Sequence, residues 1–144
     1  MNDMLTISAT EVRKDWSRVL DSVARRRPAF IRRTRDHMVL ISTETLSTLL
    51  DTIQYTASII PEDDGSITLS LDSMDIVVNG ATLDNTKAQL AQDIMEYAEE
   101  YYADYEEYSK APNRKAHLPY VMKALIAEST KELEGAIVCR NGKD

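Results

Sequence analysis

Nine arginines and lysines fall before residue 36, and six of them cluster as Arg13, Lys14 and Arg18, then Arg32, Arg33 and Arg35. Guanidinium groups grip phosphates and base edges bidentately, so this set is suited to a nucleic acid. Val12, Trp16, Val19, Leu20 and Val23 recur at helical spacing and form an apolar stripe. Arg13, Lys14 and Arg18 lie off that stripe. Arg13 and Lys14 are expected in the first turns of the helix, where backbone amides and the helix dipole also favour an anion. On the following β-rich run, alternation puts Arg32 on the opposite face from Arg33 and Arg35. A solvated basic face is the competing reading of the same residues.

Other reactive side chains form no catalytic or metal-binding pattern. His37 has no neighbouring Ser or Cys, and His117 precedes a helix beside Leu118, so both read as surface or capping residues. Two distant histidines and the lone Cys139 are too few for a His/Cys metal site, and Asp63-Asp64 lacks the spacing of a calcium loop. Neither GxxxxGK[ST] nor GxGxxG occurs, so no phosphate-cradling loop or nucleotide cofactor is expected. Glu99, Glu100, Glu106 and Glu107 sit on one long helix, and no nucleophile–base pair accompanies them, so an enzyme is not expected.

Charge divides the chain. Residues 1–60 carry a net of +2, and residues 61–144 a net of −9, within a total of −7 over 144 residues. A basic head and an acidic tail suit two different partners: a phosphate backbone for the first, a cationic protein for the second. Leu83, Leu90, Ile94, Tyr97, Tyr101, Tyr105 and Tyr108 form one stripe of the long helix and read as core. Tyr102 falls off it, which makes Tyr102, with Glu99 and Glu106, the candidate partner-binding set.

The elements that must position these groups give an α+β chain. Met4–Ile7 is extended. Ser8-Ala9-Thr10-Glu11 is a capping box that opens a helix over about Ala9–Ala24, and Arg25-Arg26-Arg27-Pro28 closes it. Ala29–Thr34 and Met38–Ser42 form a hairpin around Arg35-Asp36-His37, and Ser42 or Thr43 caps a second helix with Leu46, Leu49, Leu50 and Ile53 as its stripe. Residues 1–53 are thus strand, helix, hairpin, helix: a module small enough to favour dimerisation. In residues 54–144, three strands (about 55–60, 67–71 and 75–78) form a small antiparallel sheet, with Asn79-Gly80 as a turn. Thr82 opens the long helix, Pro112-Asn113 breaks it, and further helices follow from Leu118 and Lys131, leaving Arg140–Asp144 as a polar tail. No apolar run approaches the ~20 residues of a membrane span. The start lacks the pattern of a signal peptide, and a single cysteine fits a reducing cytoplasm.

Two stretches resemble known families. Ile7-Ser8-Ala9-Thr10-Glu11-Val12-Arg13 is similar to the I-S-x-x-E-x-R start of Phd/YefM-type antitoxins. Phe30–Ser42 resembles their I-T-R-R-G-R-x-P-A-V-I-V-S run without a gap, except that Thr34 stands where those proteins usually carry glycine. The resemblance covers residues 3–53. Asp64–Leu71 and Asn79–Leu83, within Tyr55–Tyr97, resemble HicB-type antitoxin domains, a small sheet with a helix on it. The first likeness implies a dimeric operator-binding module in which Arg13 and Arg32, with Arg33 beside it, touch DNA. Together they imply a Phd/YefM-like head fused to a HicB-like toxin-neutralising tail in a RelE/RelB-type system, the tail's partner being a basic ribonuclease toxin. The expected protein is an antitoxin that represses its own operon as a dimer. The alternative is a stand-alone transcriptional regulator with an acidic protein-interaction domain.

Overall fold

The structure is a computed structural model and describes residues 1–141. The chain is α+β and divides into two compact units, Met1–Leu49 and Leu50–Asp144. Among the described residues there are two sheets and seven α-helices, none of them long and apolar enough to cross a membrane.

In the first unit a single turn of 3-10 helix, Asp3–Leu5, leads into β1 (Thr6–Ser8). β1 pairs in parallel with β2 (Ala29–Arg33), and β2 pairs antiparallel with β3 (Asp36–Leu40). The capping box forms in part: Ser8 Oγ accepts from the Glu11 amide at 3.1 Å. The expected single helix is instead two, α1 (Ala9–Lys14) and α2 (Trp16–Arg25), separated at Asp15, which leaves the helical region at φ −118°, ψ 39°. Ser42 Oγ accepts from the Thr45 amide and so caps α3 (Thr43–Leu49). Val12, Val19, Val23 and Ala29 are the buried core, with Ile7, Ile31 and Leu40 packed on it. Trp16 is not core, contrary to expectation: it is 50% exposed, because the break at Asp15 interrupts the stripe to which it would belong.

The hairpin turns one residue earlier than the sequence suggests, at Thr34-Arg35, because Arg33 pairs with Asp36. Thr34 has φ +52°, the conformation for which glycine is suited and a β-branched residue is not. Relief of about 1–2 kcal/mol of left-handed strain should exceed the added chain entropy of glycine. Thr34→Gly is therefore expected to stabilise the hairpin by about 0.5–1 kcal/mol, read from slowed exchange of the β2–β3 amides; faster exchange would contradict it.

In the second unit β4 (Tyr55–Pro61), β5 (Ile67–Leu71) and β6 (Val77–Gly80) form an antiparallel meander. A fourth strand, β7 (Ile137–Asn141), adds in parallel to β4, so the sheet is mixed, ordered β6-β5-β4-β7, rather than purely antiparallel. Arg140 and Asn141 are therefore not a loose tail: Arg140 bonds Asp72 at 2.7 Å. Gly142, Lys143 and Asp144 lie outside the described residues. Asn79-Gly80 ends a strand instead of making a turn. Thr82 caps α4 (Leu83–Ala103), its Oγ1 accepting from the Asn85 amide at 3.1 Å. At Asp104 the chain leaves the helix, so Tyr105 and Tyr108 belong to a separate short helix, α5 (Tyr105–Tyr108). The helices α6 (Leu118–Leu125) and α7 (Thr130–Ala136) pack with α4 over a core of Tyr55, Leu69, Leu90, Ile94, Tyr101 and Val121.

Candidate nucleic-acid and partner interfaces

Burial assigns the two faces of the first sheet. Ala29, Ile31 and Leu40 turn inward. Phe30 and Val39, paired with each other, lie on the opposite, open face, 40% and 50% exposed. Alternation puts Arg32 on that open face, where the register sets it beside Ser8 of β1 and His37 of β3. Because Ser8 is also the cap of α1, the start of that helix lies next to Arg32. The structure thus joins, through one strand pairing, two regions more than twenty residues apart in sequence.

Arg13 and Lys14 lie in the last turn of α1, not its first turns. The break at Asp15 shortens the helix, so the dipole there favours the cations themselves and offers no anion site. Both residues are exposed, as are Arg33 and the turn residue Arg35. None of these four has a carboxylate within 4.0 Å among the described residues. Arg18 and Arg25 are held by Asp15 and Asp21, and Arg32 is ion-paired with Asp3. The free cations of the first unit are therefore at the end of α1 and the tip of the hairpin.

In the second unit Glu99 and Tyr102 are exposed on the last turns of α4, with Tyr102 two-thirds accessible. Glu106 is exposed on α5 and lies 4.0 Å from Lys110. Tyr101, one residue from Tyr102, is wholly buried, and its hydroxyl donates to the Arg114 carbonyl at 3.1 Å. His117 is not a surface residue: it is buried and shares a 2.7 Å hydrogen bond with the Tyr97 hydroxyl through Nδ1. Burial holds its imidazole below the usual pKa despite the nearby Asp75 carboxylate, so it is neutral at pH 7. The Arg114 guanidinium stacks over Tyr108 at 4.3 Å. Burial also pushes the Cys139 thiol up, as an inert cysteine requires.

Sequence reasoning did not find an open groove of about 420 Å³ lined by Asp75, Asp93, Glu96, Tyr97 and Glu100. The i,i+4 spacings of Asp93 with Tyr97 and of Glu96 with Glu100 place those residues along α4. Asp75 comes from the segment between β5 and β6, which only the fold brings there.

Comparison with known proteins fits this picture. The chain matches no curated protein. The PHD_like family model, described as antitoxin of toxin-antitoxin, RelE / RelB, TA system, matches residues 3–139, across both units. A crystal structure from Syntrophomonas wolfei subsp. wolfei, described as an antitoxin part of a proposed toxin/antitoxin system, is similar at TM-score 0.90 and 35% identity. The match covers 94% of this chain and 98% of that one. The chain belongs to this PHD_like family of antitoxins of RelE/RelB toxin–antitoxin systems.

Proposed function

We propose that this antitoxin binds operator DNA through its first unit as a homodimer, represses its own operon, and neutralises a cognate RelE-like ribonuclease toxin through its second unit in the cytoplasm. In this reading residues 1–53 are a Phd/YefM-like DNA-binding and dimerisation module, and residues 54–144 a HicB-like toxin-neutralising domain. The chain acts by binding two macromolecules and not by catalysis. The observation that carries the DNA reading is the set of exposed cations free of any carboxylate, Arg13, Lys14, Arg33 and Arg35, bordering an open sheet face that bears Arg32. The same unit supports dimerisation. It buries only four core residues while Phe30, Val39, Leu49, Leu5 and Trp16 remain exposed, an apolar surface that a second copy would cover. A two-fold dimer would match two operator half-sites. For the toxin, the acidic second unit offers Tyr102 with Glu99 and Glu106, an aromatic anchor flanked by charges complementary to a basic partner.

Arg13→Ala is expected to weaken binding to the promoter DNA of the operon and to flatten the slope of log affinity against log salt by about 0.9. An unchanged thermal transition would show that the fold is intact. Gel-shift titrations over a salt series read this, and wild-type affinity and slope would overturn the assignment of Arg13. Toxin neutralisation is tested by co-expression with the adjacent small basic reading frame: growth arrest relieved by this chain supports it. Arrest without relief would favour a stand-alone regulator.

A further inference from the structure

Arg32 is the one proposed DNA contact that is already engaged, and the way its partner is held points to a purpose. Asp3 sits in the short 3-10 turn before β1, and that turn is built. The Asn2 side chain accepts from the Met4 amide at 2.9 Å, and Thr6 Oγ1 donates to the Asp3 carbonyl at 3.0 Å. β1 then runs parallel to β2 with Ser8 opposite Arg32, which fixes the turn at the open face of the sheet. Asp3 Oδ1 accepts from Arg32 Nη2. Arg32 Nε is buried without a hydrogen-bond partner, whereas the Asp3 side chain is 70% exposed. The guanidinium is thus half sunk into the sheet and oriented by a single, exposed carboxylate.

A carboxylate and a phosphate accept from a guanidinium in the same way, and an exposed ion pair is weak enough to be exchanged. We propose that Asp3 is an internal stand-in for a DNA phosphate. In the free protein it holds the Arg32 side chain and masks its charge, and a backbone phosphate displaces it on binding. Asp3 thereby lowers affinity for all DNA, and for unrelated sequence in particular, where no base contacts compensate. This rests on the DNA-binding reading above.

The test uses the full chain in gel-shift titrations at low and moderate salt. The probes are the promoter duplex of the operon and an unrelated duplex of equal length. Asp3→Asn, which keeps the shape of the side chain, is expected to tighten binding to both by about two- to fivefold at low salt, the scale of one exposed ion pair, with the gain shrinking as salt rises. In an Arg32→Gln background the same change should have no effect. Unchanged or weaker binding by Asp3→Asn overturns the proposal. So does a gain that persists with Arg32→Gln, since that would be a general effect of net charge. Absence of binding by the wild-type chain overturns the DNA reading together with this proposal. Wild-type binding with no gain from Asp3→Asn overturns this proposal alone.

Discussion

Tyr101→Ala is expected to destabilise the second unit by about 3–5 kcal/mol, the largest single effect we foresee in this chain. The ring is fully buried and meets Tyr97, Tyr105 and Tyr108 edge-on, at centroid distances of 6.0, 6.1 and 5.4 Å. Truncation opens a cavity where α4 meets the segment that leads into α6. It also strands the Arg114 carbonyl that accepts from the hydroxyl. A loss of that size is a large share of the ~5–15 kcal/mol of a typical domain, so the variant should melt at markedly lower denaturant. Tyr101→Phe separates the two contributions: it keeps the ring and removes one hydrogen bond, with an expected cost of about 1 kcal/mol. Denaturant midpoints for both variants decide this. Equal, small losses would show that the ring does not hold the helix to its neighbours.

Gly80→Ala should cost about 1–3 kcal/mol although it adds only a methyl group. A Cβ at Gly80 would stand 2.6 Å from Thr86 Oγ1 and 3.2 Å from the Thr86 amide nitrogen. Thr86 cannot swing aside. Its side chain is fully buried, and its hydroxyl donates to the Thr82 carbonyl at 2.6 Å. Either β6 or the first turn of α4 has to move. Thr86→Ala in the Gly80→Ala background removes the clashing hydroxyl and is expected to recover part of the loss, so a double-mutant cycle should show coupling. Additive losses would contradict the close approach.

Gly80 also illustrates how far local sequence patterns carry. Asn79-Gly80 is a strong turn signal, yet here glycine is needed for a different reason: the helix packs onto the strand end and leaves no room for a side chain. Trp16 is a second instance. Its place in an i, i+3, i+4 pattern suggests core, but periodicity assumes one continuous helix, and the break at Asp15 removes that premise. β7 was read as the end of a helix and a loose tail because Ile137–Asn141 is short and mixed in character. It becomes a strand only because β4 presents an unpaired edge, a partner some eighty residues away. His117 was read as exposed because polar residues usually are. Its burial depends on Tyr97, twenty residues earlier, reaching its ring.

Contacts within a few residues were legible from the sequence. The Ser8 cap, the Ser42 cap, the Thr82 cap, the hairpin and the apolar stripe through Leu90, Ile94 and Tyr101 all depend on neighbours along the chain, and capping chemistry or helical spacing reports such neighbours directly. The α+β class and the division of charge between head and tail follow from the same local information. Tertiary structure alone decided which arginines are free and which are engaged, that β7 completes a mixed sheet, and that Asp75 joins the carboxylates of α4 along one groove. Those outcomes depend on pairing between segments far apart in sequence, and no local propensity encodes which distant strand edge or carboxylate a residue will meet.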